Sequence, residues 1–152
     1  MSELGKMINP ENIIFLPDNI KTKENVLDNI SLLMFRNGYV KESYIEAIKK
    51  REDTFPTGLN TKSYGIAIPH VDSKHVNEAT IAVGILKEPV EFQEMGAEDI
   101  IVPVRIIFML AIKDPSKQLE VLQAVISLIE NGAKIDELVQ ANDATDVLQI
   151  LN

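Results

Sequence analysis

Two apolar runs, residues 80–86 and 102–112, constrain the fold of this chain more than any other feature. Both are rich in β-branched and other apolar residues, as expected of central strands that are buried on both faces. A sheet with such strands needs helices on both sides, because each of its apolar faces must be covered. The sequence therefore predicts a layered α/β fold.

Five stretches around these runs carry apolar residues at three- and four-residue steps, which predicts helices. They extend over residues 22–38, 41–51, 115–130, 135–140 and 144–151, with boundaries that are approximate. Thr22 is a plausible N-cap for the first helix, and Asp114 with Pro115 suits the start of the third. Asn131 and Gly132 are predicted to end the third helix.

Three shorter strands are predicted at residues 13–16, 65–68 and 89–92. Pro69 must end the strand at 65–68, because proline has no amide hydrogen for a sheet ladder. Residues 89–92 are predicted to form an edge strand between the two central strands. Residues 1–152 are then expected to form a single-domain α/β sandwich, whose mixed or mostly parallel sheet is flanked by helices. The strand order does not follow from the pattern.

Charge and composition exclude several classes of function. The chain has 152 residues with 23 acidic and 15 basic side chains, a formal charge of −8. This acidity disfavours nucleic-acid and membrane-surface partners, since no basic stripe interrupts it. The longest uninterrupted apolar run, residues 106–112, has seven residues, whereas a membrane-spanning helix needs about 20. Insertion into a membrane is therefore not expected.

Two features that the sequence lacks bear on the location of the protein and on its chemistry. Residues 1–20 lack the apolar stretch of a secretory signal, which leads us to expect a cytoplasmic location. The chain has no cysteine, which excludes thiolate metal sites and cysteine nucleophiles within it. Any thiol chemistry must then belong to a partner.

His70 is the leading candidate for chemistry, because it lies just past the strand at 65–68, where ligands gather in α/β sheets. A neutral imidazole can use one ring nitrogen as a nucleophile while a hydrogen bond holds the other. Thr57, Asp72 or a backbone carbonyl would fix that tautomer. Two other interpretations remain open on the residues alone. His70 would make one structural hydrogen bond, or His70, Asp72 and His75 would bind a metal such as zinc, although their spacing follows no strong ligand pattern.

The segments around this histidine resemble a known active-site signature. Residues 51–59 read Arg-Glu-Asp-Thr-Phe-Pro-Thr-Gly-Leu, and residues 65–70 read Gly-Ile-Ala-Ile-Pro-His. This two-part motif is similar to that of the enzyme IIA component of the sugar phosphotransferase system, in its fructose/mannitol/galactitol family. The resemblance extends over most of the chain. It implies the fold of that family and a phosphotransferase that requires no metal or nucleotide cofactor.

The resemblance also implies a relay of phosphoryl groups. The carrier phospho-HPr would phosphorylate His70, and His70 would pass the group to a cysteine of a IIB component, which drives sugar uptake through a membrane IIC component. Because the chain lacks cysteine, we expect a free-standing IIA, and its acidity suits a partner with a basic face. Two alternatives are a regulatory phosphoacceptor that resembles the nitrogen-related IIA branch, and a metal-dependent hydrolase that uses His70, Asp72 and His75.

Several side chains acquire expected roles from the motif. Arg51 is placed by the resemblance to stabilise the phosphoryl group, for which a guanidinium offers a matching fork of donors. Thr57 either orients His70 through its hydroxyl or closes a turn with Gly58. His75 either hydrogen-bonds the phosphorylated ring or lies on the surface.

The helix that begins near residue 115 bears on the subtype. Gln118 lies in its first turn, where free amide donors and the helix dipole favour an anion. In the fructose and mannitol branches a second histidine stands there, and the segment before the Pro-His pair is shorter. Gln118, the longer segment 59–64, and His75 five residues after the first histidine together resemble the galactitol branch. Val71 departs from the small residue that usually follows the signature histidine.

Overall fold

The computed structural model describes residues 3–152 as a mixed sheet with helices packed on both faces. Its strands are β1 (Ile8–Leu16), β2 (Gly58–Leu59), β3 (Gly65–Ala67), β4 (Thr80–Glu94) and β5 (Ala97–Ala111). Its helices are α1 (Glu3–Met7), α2 (Lys23–Arg36), α3 (Ser43–Thr54), α4 (Gln118–Ile129), α5 (Gly132–Gln140) and α6 (Ala144–Leu151), with 3₁₀ turns at Ser73–His75 and Pro115–Lys117. The predicted α/β class is confirmed. None of the helices within residues 3–152 has the length and hydrophobicity that crossing a membrane requires.

The sheet is built around a long antiparallel hairpin of β4 and β5. β1 runs parallel to β4, and β3 runs parallel to β5. β2 pairs antiparallel with β3 and meets the far end of β4 in parallel, where Gly58 lies opposite Glu94. The resulting strand order is β1-β4-β2-β3-β5, with the β4–β5 pairing in addition.

Side chains of β5 alternate between two cores, so the second half of this strand is buried on both faces as predicted. Ile106 and Phe108 belong to the core that α4, α5 and α6 share with the sheet. Ile107 and Met109 belong to the core on the side of α2 and α3. The alternation follows from the two-residue period of a strand, and it places helices on both faces of the same sheet.

Residues 89–92 do not form the separate edge strand that the sequence predicts. They belong to the second half of β4 and pair with β5, where Glu91 lies opposite Pro103. The register of this ladder shifts between Ile85 and Val90. Pro89 therefore lies in an irregularity of the ladder, where its missing amide hydrogen leaves the continuous strand intact.

The ends of two helices differ in how well the sequence predicts them. Thr22 caps α2, since its hydroxyl accepts a backbone N–H of the first turn, and Gly38 follows the helix end with a φ of 85°. α4 ends at Ile129, close to the predicted boundary, but Asn131 and Gly132 do not cap it as predicted. The Asn131 side chain accepts the Lys134 N–H as the N-cap of α5, whose first residue is Gly132. The same residue types suit both ends of a short interhelical connection, and here they serve the second helix.

β3 leads directly to His70, and close contacts fix its path. A Cβ atom on Gly65 would lie 2.4 Å from the carbonyl oxygen of Pro103, so only glycine lets β3 approach β5 so closely. The strand ends before Pro69, as predicted, and the Pro69 carbonyl accepts the Leu110 N–H at 2.9 Å. The chain that carries His70 is thereby bonded to the central strand.

Candidate active site

The ring of His70 is oriented by its own backbone. Its Nδ1 atom lies 2.8 Å from the carbonyl oxygen of Ile68. Because a carbonyl oxygen can only accept a hydrogen bond, Nδ1 carries the ring proton and Nε2 keeps a free lone pair. Of the three partners that the sequence suggests for this proton, the backbone carbonyl is the one observed. The ring is half-buried, and Nε2 is its nitrogen with a lone pair available for chemistry.

Burial and charge keep this imidazole neutral. Burial lowers the pKa of His70 below its ordinary value, and the nearby Arg51 charge lowers that pKa further. The hydrogen bond to Ile68 acts in the opposite direction and does not reverse the shift. A histidine with a lowered pKa is unprotonated at neutral pH, which is the state that a nucleophile requires.

Arg51 offers an unused hydrogen-bond donor at this site. It lies in the last turn of α3, and its guanidinium stacks over the Phe55 ring with 4.3 Å between the guanidinium carbon and the ring centroid. Among the side chains of residues 4–152, its Nε is the only buried nitrogen or oxygen that lacks a hydrogen-bond partner. A buried donor without an acceptor is costly, so this N–H is available to an incoming oxyanion.

Thr57 does not bond to the His70 ring, although the sequence suggests that its hydroxyl orients His70. The Thr57 Oγ1 atom donates to Glu52 Oε1 at 2.8 Å and accepts the Ile68 N–H at 3.1 Å. The alternative of a turn with Gly58 is not observed, because Gly58 begins β2 and pairs with Ala67 of β3. Thr57 acts on the histidine only through Ile68.

Glu52 is the member of this cluster that sequence reasoning missed. It is 1% exposed, and its Oε2 atom accepts the Thr57 N–H at 2.7 Å. Burial raises the pKa of Glu52 to about 7, while the hydrogen bonds from Thr57 act to lower it. A signal for its burial was present: Tyr44, Ile48 and Glu52 recur at four-residue steps, so they share the inward face of α3.

His75 and Asp72 lie apart from this cluster. The Nδ1 atom of His75 is 2.8 Å from the Ser43 hydroxyl, at the start of α3, and Asp72 is exposed to solvent. Across residues 4–152, no three His, Cys, Asp or Glu side chains are grouped so that they could hold a metal ion. The metal-site interpretation of His70, Asp72 and His75, and with it the hydrolase alternative, is therefore wrong.

Gln118 is the first residue of α4 and is half-buried. The preceding turn is capped as the sequence predicts, since Asp114 accepts the Ser116 N–H at 3.0 Å. No hydrogen bond joins the Gln118 carboxamide to His70 in the described part of the chain. Its role in anion binding stays a prediction.

Comparisons with known proteins agree on one family. The family model of the phosphoenolpyruvate-dependent sugar phosphotransferase system, EIIA 2, matches residues 6–152. The galactitol-specific EIIA component of Escherichia coli is 27% identical over 117 residues, which cover 77% of each chain. The transcriptional regulator ManR of Bacillus subtilis is 28% identical over 142 residues; the match covers 92% of this chain and 20% of the regulator, so this chain corresponds to only a small part of that protein.

Solved structures show the same fold. The nitrogen regulatory protein IIA-Ntr of Neisseria meningitidis matches with a TM-score of 0.79 and 27% identity, over 99% of this chain and 100% of that one. Enzyme IIA for mannitol of Escherichia coli, in its complex with phosphorylated enzyme IIB, matches with a TM-score of 0.77 and 25% identity, over 95% and 96% of the two chains. The family model and both structures span nearly all of the sequence. The chain therefore belongs to the EIIA 2 family of the phosphoenolpyruvate-dependent sugar phosphotransferase system and is a phosphoryl carrier of the phosphotransferase class.

Proposed function

We propose that this chain accepts a phosphoryl group from phospho-HPr on Nε2 of His70 and transfers it to a cysteine of a IIB component. Through IIB, the group serves the uptake of a sugar or sugar alcohol by a membrane IIC component. The observation that carries this proposal is the pairing of His70 Nδ1 with the Ile68 carbonyl at 2.8 Å, which leaves Nε2 free as the nucleophile.

The first transfer is an exchange of one P–N bond for another. The Nε2 lone pair of His70 attacks phosphorus, and the electron pair of the breaking bond returns to the imidazole of the donor. The transition state is loose and in line, with charge spread over three oxygens, so catalysis consists mainly of orientation and electrostatic stabilisation. The unpaired Arg51 Nε–H supplies a charge-assisted donor for those oxygens.

The second transfer requires a thiolate from outside this sequence, because its 152 residues contain no cysteine. The thiolate attacks phosphorus, the P–N bond to His70 breaks, and its electron pair returns to Nε2. Support for a IIB acceptor comes from the related mannitol enzyme IIA, whose structure was solved in complex with phosphorylated enzyme IIB.

The two histidines allow a matched test of the acceptor. The chain would be incubated with phosphoenolpyruvate labelled in its phosphoryl group, enzyme I and HPr, and the bound label tested for the acid lability and base stability of phosphohistidine. We expect His75→Ala to be labelled as the wild type is and His70→Ala to carry no label. Label retained by His70→Ala would overturn the proposal, and ¹⁵N–³¹P coupling in the labelled protein identifies the ring nitrogen.

The galactitol-like assignment rests on the similarity to the galactitol-specific component, together with Gln118, His75 and the long segment 59–64. A panel of purified IIB proteins tests it, since the cognate IIB removes the label fastest. We expect the galactitol-type IIB to do so. Faster loss to a fructose- or mannitol-type IIB would contradict the galactitol assignment and leave the relay intact.

A regulatory phosphoacceptor is the second candidate, because the fold matches IIA-Ntr and the sequence matches part of the regulator ManR. In that role, phosphorylation of His70 changes the binding of another protein. Retention of the label in the presence of every IIB of the panel would favour this candidate. Adjacent IIB and IIC genes would favour transport.

A further inference from the structure

A continuous path of hydrogen bonds runs from Glu52 to the His70 ring. The two Glu52 carboxylate oxygens accept from the amide and the hydroxyl of Thr57 at 2.7 and 2.8 Å. The Ile68 N–H is shared between the Thr57 hydroxyl at 3.1 Å and the Thr57 carbonyl at 3.3 Å, and the Ile68 carbonyl accepts from Nδ1 of His70 at 2.8 Å. Two residues, Thr57 and Ile68, thus link the buried carboxylate to the His70 ring.

We propose that Glu52 is a positioning residue for phosphoryl transfer: its carboxylate holds Thr57 and Ile68 so that the Ile68 carbonyl fixes the Nδ1–H tautomer and the direction of the His70 ring. This proposal rests on the proposed function of His70. It concerns a residue that touches neither the ring nor the space in front of Nε2, and it assigns a purpose to a buried acid that the transfer itself does not use.

The direction of each bond explains why a carboxylate is required. The Thr57 hydroxyl has one proton, and it gives that proton to Glu52, so its lone pairs are left for the Ile68 N–H. An ionised carboxylate only accepts, and it therefore holds both Thr57 donors at once. A protonated acid or an amide at this position has a donor of its own, which would face one of the two Thr57 donors. The Thr57 hydroxyl would then have to rotate away from its present direction.

Near neutral pH, the surroundings of Glu52 leave its protonated and ionised forms similar in free energy. Burial raises the pKa of Glu52 to about 7, and the charge of Asp53, also on α3, raises it as well. The Thr57 hydrogen bonds and the charge of Lys23 on α2 lower it. The carboxylate form that orients Thr57 is therefore favoured as the pH rises above neutrality.

The test compares Glu52→Gln with Glu46→Gln, a matched change on the exposed side of the same helix. The readouts are the ring ¹⁵N spectrum of His70 and the steady-state rate of phosphoryl transfer from phospho-HPr. The chain has two histidines, so the His75→Ala variant assigns their signals. We expect Glu52→Gln to mix the two tautomers and to lower kcat by about tenfold or more, with little change in KM. Glu46→Gln should match the wild type in both readouts.

Three outcomes decide the matter. A folded Glu52→Gln with wild-type ring shifts and a wild-type rate would overturn the proposal. If that variant does not fold, a pH titration of the wild type replaces it, followed by ¹³C shifts of the Glu52 carboxyl and ¹⁵N shifts of the His70 ring. The His70 shifts must then change at the pH at which the Glu52 carboxyl is half ionised. Absence of that change would also overturn the proposal. Label retained by His70→Ala would instead contradict the proposed function of His70. The ring spectrum would still show whether Glu52 fixes the tautomer of His70, so the two failures can be told apart.

Discussion

Replacement of Glu52 by Gln should remove a large part of the pH dependence of the free energy of unfolding. Glu52 is 1% exposed, and burial raises its pKa from 4.5 to about 7 in the folded chain. Between these two values the folded protein holds a proton that the unfolded chain has released. The free energy of unfolding must then fall as the pH rises through this interval.

The magnitude follows from the width of the interval. Each pH unit of difference between the folded and unfolded pKa is worth about 1.4 kcal/mol. The shift from 4.5 to about 7 therefore corresponds to about 3 kcal/mol lost between about pH 4.5 and pH 8. His70 contributes with the opposite sign, because its lowered pKa makes the fold gain stability as the pH rises through its ordinary value. The part of that contribution that comes from burial and from the Arg51 charge is common to both proteins and cancels in their difference.

Urea unfolding from about pH 5 to about pH 8, in wild type and Glu52→Gln, measures this difference. Circular dichroism is the suitable probe, since the chain has no tryptophan. Glutamine also puts a donor beside Thr57, which shifts the stability of the variant by a constant amount, so the slope against pH is the quantity to compare. Equal slopes for wild type and Glu52→Gln, or an equally flattened slope for the control Glu46→Gln, would refute the reasoning.

Four further outcomes are expected. Tyr44→Phe should lower the free energy of unfolding by about 1 kcal/mol, because the buried hydroxyl donates to the Leu110 carbonyl at 2.7 Å; unchanged urea unfolding would contradict this. Gly65→Ala should lower the free energy of unfolding by about 3 kcal/mol in the same assay, because its methyl group would clash with the backbone. Its control is Gly132→Ala, where a methyl group has space, and the free energy of unfolding should stay unchanged or rise by up to about 1 kcal/mol. Arg51→Lys keeps the charge but loses the Nε donor, and it should slow labelling by phospho-HPr about tenfold or more. Labelling at the wild-type rate would show that the Arg51 Nε donor has no part in the transfer. Affinity for HPr should weaken with salt, given the charge of −8, and calorimetry at low and high salt showing equal affinities would contradict it.

Periodicity could predict most helices and both central strands, because burial on one or two faces leaves a repeating apolar pattern. It failed at residues 89–92, where it predicts a separate edge strand. β3 ends before Pro69, after which the chain leaves the sheet, whereas Pro89 lies within β4 where the ladder shifts register. The sequence shows the missing amide hydrogen in both cases, but only the partner strand determines whether a bond was required there.

The sequence predicts the position of the candidate site but not its hydrogen bonds. The position of His70 follows from the strand that precedes it, whereas its tautomer depends on the carbonyl of Ile68, two residues earlier, whose direction no spacing specifies. The motif indicates a role for the Thr57 hydroxyl, but its partners, Glu52 and Ile68, do not follow from the sequence. A charged residue in the last turn of a helix is usually solvated, so the sequence does not single out Glu52, although it lies on the inward face of α3.

Two neighbouring residues each lower the stability of the fold, and both act on the same imidazole. Arg51 keeps a buried N–H without an acceptor, and Glu52 keeps a buried carboxyl whose ionised form the interior disfavours. Apart from the Arg51 Nε, each buried side-chain nitrogen and oxygen of residues 4–152 has a hydrogen-bond partner. Such costs persist where function requires them. The Arg51 charge acts on the His70 ring, and Glu52 is joined to that ring through Thr57 and Ile68. The two unfavourable groups are therefore concentrated around the histidine that we propose as the phosphoryl acceptor.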